Sequence, residues 1–368
     1  MPKAWAAVLM DYELPLEVVE IDVEDPGPGE VLVRILASGV CHTDEHIITG
    51  DLPLPVPMVL GHEGSGIVER VGEGVDRVSE GDHVVLSWLP ACGHCTACRQ
   101  GWTGMCRETS RAAEKGTLWG GVNRLSLNGE SLSVMSLTGT FSTYAVVPQE
   151  GVVRIPSDFP MPEAALLGCS ATTGYGAVAH RAKVVPGSSV TVIGAGGVGL
   201  HVVMASRLMG ASRILVVDPV RERLAQAAEF GATDLIEATD SDALTQGLDL
   251  TDGLGTDYAF EVVGTPATIA QAFNTVRPGG TAVVVGVAPP HEEVCLNAFT
   301  FPSQGKTLTG TWYGSGDFAT DVQALVQAQT EGRIHLNRFL GEPYSLNDVN
   351  RALEALRSGS PTRPMMTL

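Results

Sequence analysis

Positive charge is scarce in this chain of 368 residues. Its 23 lysines and arginines stand against 42 aspartates and glutamates, which gives a formal net charge of −19. A field of that sign repels phosphate backbones, so nucleic acid is excluded as an expected partner.

Long apolar runs are also lacking. No stretch of 18 or more apolar residues is present, so the sequence predicts no membrane span. The apolar start, residues 4–10, is too short for a secretory signal peptide and lacks a cleavage pattern. We therefore expect a cytoplasmic protein without a membrane partner.

The sequence contains enough apolar residues for a globular protein with a full core: 44% are apolar and 18% are charged. A chain of this length favours two domains. The first 150 residues contain short β-rich runs, such as 31–37 and 66–71, separated by glycine and proline turns, which indicates a compact β domain. After about residue 160, strands such as 190–193 and 214–217 alternate with helical segments, which predicts a parallel sheet.

A glycine-rich hexamer, Gly194-Ala195-Gly196-Gly197-Val198-Gly199, fits the dinucleotide-binding pattern G-x-G-x-x-G. A predicted strand precedes it, a helical stretch follows it, and Asp218 ends the next strand about 20 residues on. The glycines allow the backbone to approach a pyrophosphate at a helix N-terminus. A carboxylate at Asp218 suits ribose hydroxyls and repels a 2′-phosphate, which favours NAD over NADP. The alternative is a glycine turn that serves close packing alone.

Seven cysteines are present, and four of them, Cys92, Cys95, Cys98 and Cys106, crowd into 15 residues. Four thiolates on one loop can surround a single Zn²⁺ tetrahedrally, which leaves no open position and predicts a structural zinc. An iron–sulfur cluster or free thiols are the alternatives.

Three further candidates for metal ligation are Cys41, His62 and Cys169. Two thiolates and one imidazole would leave a fourth position open, as catalytic zinc requires. Spacing alone leaves this a hypothesis, because lone cysteines are usually small buried hydrophobes.

The chain resembles the zinc-containing medium-chain alcohol dehydrogenases nearly end to end. The strings that carry the resemblance are Cys41-His42-Thr43-Asp44, Gly61-His62-Glu63-Gly64-Ser65-Gly66, the four-cysteine loop, Leu167-Gly168-Cys169, the glycine hexamer with Asp218, and Ser358-Gly359 followed by Arg363. The resemblance implies an α/β protein with a GroES-like β-rich catalytic domain, residues 1–165 completed by 312–368. A Rossmann coenzyme domain with a doubly wound parallel sheet would span 166–311. The active site would lie in the cleft between these domains.

Matched position by position, the resemblance assigns Cys41, His62 and Cys169 to the catalytic zinc and the four-cysteine loop to a structural zinc. It places Glu63 behind the metal, Asp44 as the partner that fixes the tautomer of the ligand histidine, Thr43 at the alcohol hydroxyl and His46 at the outer end of a proton relay. The coenzyme contacts that it implies are His42, Thr173, Gly194, Gly196, Gly197, Val198, Gly199, Asp218, Arg223 and Arg363. The alternative for Glu63, Arg223 and His42 is a plain solvent-facing side chain.

The implied function is a zinc-dependent alcohol dehydrogenase that transfers a hydride between a primary alcohol or aldehyde and NAD. The strings at 41–44 and 310–314 are similar to dehydrogenases for S-hydroxymethyl adducts of mycothiol or glutathione. The strings at 50–53, 137–142 and 216–220 are similar to nicotinoproteins, in which NAD stays bound through turnover. Trp88, Trp119 and Trp312 would line an apolar pocket for aromatic or longer alcohols, or form plain core.

Two alternatives of other classes are a non-catalytic zinc- and NAD-binding protein and a zinc-free reductase. The family also implies a homodimer or a homotetramer.

Overall fold

The computed structural model describes residues 3–238, 243–360 and 362–368. The chain divides into two compact units. The first unit combines Met1–Cys169 with Asp317–Leu368, and the second is Ser170–Gly316.

The N-terminal part of the first unit consists mainly of short strands. These are β1 (Lys3–Leu9), β2 (Glu17–Val23), β3 (Glu30–Gly39), β4 (Met58–Val59), β5 (Glu63–Val71), β6 (His83–Leu86), β7 (Leu125–Leu127), β8 (Glu130–Ser131), β9 (Ser133–Val134), β10 (Tyr144–Pro148) and β11 (Val152–Arg154). Its α-helices are short: α1 (His42–Ile48), α2 (Thr96–Arg99), α3 (Arg107–Glu114) and α4 (Met161–Leu167).

The second unit alternates strands and helices. Its strands are β12 (Ser189–Ile193), β13 (Arg213–Asp218), β14 (Asp234–Glu237), β15 (Thr256–Glu261), β16 (Val276–Val284) and β17 (Thr307–Gly310). Its helices are α5 (Ser170–Gly176), α6 (Gly197–Leu208), α7 (Arg221–Glu229), α8 (Ala243–Asp249), α9 (Pro266–Thr275) and α10 (Thr300–Gln304), and a π-helical turn, Ala177–Ala182, continues α5.

The tail of the chain returns to the first unit. It contains α11 (Phe318–Thr330), β18 (Leu340–Tyr344), α12 (Val349–Arg357) and β19 (Arg363–Thr367). β19 pairs antiparallel with the end of β3, so that Met365 lies opposite Gly39. The strand that carries Arg363 is thereby a member of the same sheet as β3.

The first unit contains two sheets of largely antiparallel strands. In one, the order is β8-β7-β2-β1-β4-β9; in the other, it is β11-β6-β5-β3-β19-β18, with β10 also paired to β3. β3 and β5 pair antiparallel, with Gly39 opposite Glu63. The end of β3, which leads to Cys41, therefore lies beside the start of β5, which follows His62.

The second unit is built on one parallel sheet of order β14-β13-β12-β15-β16-β17. The two neighbouring strands β12 and β13 are mostly buried and apolar or β-branched, as is typical of a parallel sheet covered on both faces. The strand order reverses between β12 and β15, and this switch point is where open α/β sheets bind ligands. Among the described residues, no helix combines the length and the apolarity needed to cross a membrane.

Candidate active site

The fold brings together the three ligand candidates that are dispersed in the sequence. One ligand atom from each of Cys41, His62 and Cys169 lies within 4.8 Å of the others, and all three residues are buried. Cys41 directly precedes α1, His62 directly precedes β5, and Cys169 lies between α4 and α5. Two cysteine sulfurs and one imidazole nitrogen form a donor set that zinc binds. The fold brings these atoms close enough to share one ion, which their spacing in the sequence could not show.

The buried carboxylate of Asp44 ties two of these ligands to each other. Its Oδ2 accepts the backbone N–H of Cys41 at 2.8 Å, which closes the first turn of α1. Its Oδ1 lies 3.2 Å from Nδ1 of His62 and also accepts the backbone N–H of Gly61 at 3.2 Å. Because a carboxylate can only accept, Nδ1 of His62 carries a proton, and Nε2 is the nitrogen at which a metal would take the place of a proton.

The charges around these ligands favour a thiolate. Burial alone would lower the pKa of His62, but the negative charges of Asp44 and Cys41 raise it to about 10. A hydrogen bond with the Cys169 thiol holds the pKa of Cys41 well below its usual value, and Arg363 and His62 lower it further. The thiolate is the form of cysteine that binds metals.

Glu63 and Arg363 form a buried ion pair beside the ligands. Nε of Arg363 donates to Oε2 of Glu63 at 2.7 Å, and Nη2 donates to the same oxygen. A Cβ at Gly39 would collide with the Glu63 carboxylate, which explains the glycine at the end of β3. The alternative that Glu63 is a plain surface charge is therefore wrong. A pyrophosphate contact of Arg363 stays a prediction.

The residues of the expected proton relay lie on α1. The Thr43 hydroxyl is 3.7 Å from Sγ of Cys41. The His46 side chain is 42% exposed, and its Nδ1 lies 3.5 Å from the Asp51 carboxylate. His42 is exposed, so its phosphate contact also stays a prediction.

The three tryptophans of the expected pocket have different surroundings. The Trp88 ring packs edge-on against His62, with centroids 5.9 Å apart, so it borders the ligands. Nε1 of Trp119 instead donates to Thr109 at 3.2 Å, and its ring packs against the core of the first unit. Trp312 belongs to the second unit and is 38% exposed.

The four cysteines of the loop also meet: one sulfur from each lies within 4.8 Å of the others. The sulfurs of Cys92 and Cys98 are 4.0 Å apart. Tetrahedral Zn–S bonds imply a separation of about 3.8 Å, so the donor set fits zinc. Backbone N–H groups point at the sulfurs, as Cys92 N–H does toward Cys106 at 3.4 Å. Backbone hydrogen bonds from Cys98 and Arg107 lower the pKa of the Cys95 thiol to about 6.

The glycine hexamer forms the turn from β12 into α6, where a dinucleotide pattern requires it. Gly194 has a φ of +99°, and a Cβ on Gly199 would overlap the Gly194 carbonyl. The Asp218 carboxylate is buried and accepts the backbone N–H groups of Ala195 and Val220, both at 2.8 Å. Nη1 of Arg223 lies 3.9 Å from Asp218, which places this arginine beside the expected ribose site.

Of the remaining coenzyme candidates, Gly196 is the residue before α6, Gly197 and Val198 belong to the first turn of α6, and Thr173 lies on α5, half-buried. Sequence reasoning missed the Glu63–Arg363 pair, because the partners are 300 residues apart and meet through the pairing of both β5 and β19 with β3.

Two family models match the chain. Residues 27–157 match the model of the alcohol dehydrogenase GroES-like domain, and residues 197–328 match that of the zinc-binding dehydrogenases. These matches confirm the predicted fold class. The chain is 38% identical to an S-(hydroxymethyl)glutathione dehydrogenase from Synechocystis sp. over 99% of both chains.

Solved structures that cover the whole chain include the following two. An alcohol dehydrogenase zinc-binding domain protein from Burkholderia ambifaria is 35% identical, with a TM-score of 0.96 over 100% of this chain and 99% of that one. Benzyl alcohol dehydrogenase from Acinetobacter calcoaceticus is 32% identical, with a TM-score of 0.95 over 100% of both.

Proposed function

The chain belongs to the zinc-containing medium-chain alcohol dehydrogenase family, and from that premise we propose that it oxidises a primary alcohol, or reduces the aldehyde, with NAD. The observation that carries the proposal is the buried cluster of Cys41, His62 and Cys169, which offers a metal three ligands and leaves a fourth position open. A purely structural zinc would have four protein ligands, as the four-cysteine loop has.

We assign one zinc to each cluster. Cys41, His62 and Cys169 would hold the catalytic ion, and Cys92, Cys95, Cys98 and Cys106 the structural one. Bound at the first cluster, zinc would supply Lewis acidity toward the substrate oxygen. Asp44 supports this role because its hydrogen bond fixes the His62 ring with Nε2 free to bind the ion.

The proton of the alcohol would leave through side chains of α1. We assign its acceptance to Oγ1 of Thr43, which lies 3.7 Å from Sγ of the ligand Cys41 and would pass its own proton on toward solvent. His46 would exchange the proton with solvent, since its side chain is partly exposed and an imidazole can both accept and donate a proton. A Thr43→Ala or His46→Ala variant that kept full turnover would contradict these roles.

NAD is the coenzyme that the second unit favours. The buried Asp218 carboxylate ends β13 beside the glycine turn, where it would accept ribose hydroxyls. A 2′-phosphate next to this carboxylate would meet electrostatic repulsion, and the positive charge of Arg223 already lies 3.9 Å from Asp218. The second unit therefore supports NAD over NADP.

Two substrate classes have support. The edge of Trp88 against His62 supports an aromatic or longer primary alcohol, and benzyl alcohol dehydrogenase is a structural relative. The relative from Synechocystis sp. supports the second candidate, an S-hydroxymethyl adduct of glutathione or a similar thiol.

The test starts from protein purified without added coenzyme. We would measure zinc per chain, NAD(H) released on denaturation, and the oligomer, which we expect to be a homodimer or homotetramer. Benzyl alcohol and formaldehyde with glutathione or mycothiol would then be assayed with NAD and with NADP. We expect two zinc ions per chain and turnover with NAD. About one NAD(H) per chain would indicate a coenzyme that stays bound, whereas one zinc or fewer would contradict the proposal.

A further inference from the structure

A loop of the first unit packs behind the segment that carries His62. We propose that this bracing loop, Met135–Ser142, positions His62 as a zinc ligand by fixing the backbone of Gly61 through Thr138 and Thr140. The inference rests on the proposed role of His62, and it concerns how long the catalytic ion stays bound.

Gly61, the residue before His62, is held on both of its backbone polar groups. Its carbonyl accepts the Thr140 N–H at 2.9 Å and lies 3.2 Å from the Thr138 hydroxyl, which shares its one proton with the Met135 carbonyl at 3.0 Å. Its N–H donates to Asp44, the carboxylate that also binds the His62 ring. The peptide units on either side of Gly61 therefore have fixed orientations, and the Cα of His62 inherits its place from them.

The fit between the bracing loop and this segment leaves no room for adjustment. Gly61 has a φ of +89°, and a Cβ there would lie 2.6 Å from the Phe141 nitrogen and 2.7 Å from Oγ1 of Thr140. The Phe141 N–H donates to the Leu60 carbonyl at 2.9 Å, which extends the contact by one residue. The hydroxyls of Thr140 and Ser38 are 2.6 Å apart, so the loop is also fixed to β3.

The loop adopts a conformation that must be held in place. Ser136 and Leu137 have φ values of 51° and 58°, in the left-handed region that residues with a Cβ rarely adopt. The N–H groups of Thr138 and Gly139 both donate to the Met135 carbonyl, at 2.9 and 3.1 Å, and close the turn. A strained backbone conformation persists only where the surrounding contacts hold it in place, and such conformations are frequent at functional sites. Here the turn places the Thr138 hydroxyl between the Met135 carbonyl of the loop and the Gly61 carbonyl, so that it connects the two.

The experiment measures release of the two zinc ions to a chromogenic chelator. Thr138→Val removes the hydroxyl and keeps the shape of the side chain, while Thr138→Ser keeps the hydroxyl. We expect Thr138→Val to release the catalytic ion about 10-fold faster, the lower end of the effect of outer-shell partners on metal affinity. Thr138→Ser should stay close to wild type. The phase that belongs to the catalytic ion is identified by its absence in Cys169→Ser.

Thr191→Val is the matched control, because Thr191 is also buried and its hydroxyl is 3.0 Å from that of Thr256, in the second unit. It should release both ions at the wild-type rates. Unchanged release from Thr138→Val, or equal acceleration in Thr191→Val, would overturn the inference while the proposed function stands. A wild-type chain that holds one zinc would overturn both.

Discussion

The two clusters of the first unit that could hold zinc differ in how their residues come together. The four cysteines of the loop lie within 15 residues, whereas Cys41, His62 and Cys169 span most of the unit. The dispersed ligands are all buried, while Cys92 and Cys98 of the loop are only half-buried. In one cluster the fold assembles the ligands; in the other the metal would organise the loop.

The residues around the two clusters also differ, because more of the fold surrounds the dispersed cluster than the four-cysteine loop. Around the dispersed cluster stand buried charges, Asp44 and the Glu63–Arg363 pair, and the bracing loop Met135–Ser142. Around the four cysteines, backbone N–H groups point at the sulfurs, and the ion pairs of α3, such as Arg111 with Glu108 at 3.8 Å, are exposed. A site preorganised by its fold should therefore lose chemistry when a ligand is removed, and a site organised by its metal should lose local order.

The largest effect is expected at the dispersed cluster. Cys169→Ser should lower kcat/KM by about 10⁴-fold, because several kcal/mol of Lewis-acid stabilisation are lost with the catalytic zinc. The four-cysteine loop should keep its ion, so metal analysis should find one zinc per chain. A thermal midpoint close to wild type would show that the fold persists. Activity within tenfold of wild type would contradict the assignment of this ligand.

The same contrast explains how far the sequence alone predicts the molecule. The four-cysteine group and the glycine hexamer are local patterns, and the strands predicted at 190–193 and 214–217 lie within β12 and β13. For Cys41, His62 and Cys169, spacing supports only a hypothesis, and their assignment to one zinc rests on the resemblance, because no local pattern links residues that sheet pairing and helix packing bring together. The partner of Arg363 and the role of Thr138 depend on backbone geometry, which the residue types alone do not encode.

The second prediction compares a buried ion pair with an exposed one. Arg363→Met should lower the free energy of unfolding by about 3–5 kcal/mol, because Glu63 loses its partner in the interior. Arg111→Met, in the region of the four cysteines, should change it by less than about 1 kcal/mol, as exposed pairs do. Chemical denaturation of both variants measures the difference. If both substitutions lowered the free energy of unfolding equally, burial of the ion pair would not explain a difference in stability between the two regions.

The third prediction concerns local order. Cys106→Ser should release the structural zinc and make the loop at 92–106 about tenfold more sensitive to protease, which corresponds to roughly 1.4 kcal/mol of lost local stability. Cys295→Ser is the control, since Cys295 is exposed and outside both ligand clusters. If the loop resisted protease without its ion, contacts within the chain would be enough to order it. The metal would then not be what organises this loop, and the two clusters would not differ in this respect.

The smallest effect tests whether strain belongs to the dispersed cluster alone. Ser136 in the bracing loop has φ 51° and ψ 41°, whereas Ser110 lies in the regular helix α3. Glycine removes the steric strain of a left-handed backbone conformation because it has no Cβ. In a helix, glycine instead loses more backbone entropy on folding than other residues do. Ser136→Gly should therefore raise the free energy of unfolding by about 0.5 kcal/mol and Ser110→Gly should lower it by a similar amount. Thermal midpoints that shift in opposite directions would confirm the backbone strain at Ser136. A lower free energy of unfolding in both variants would mean that the left-handed conformation does not destabilise the folded protein.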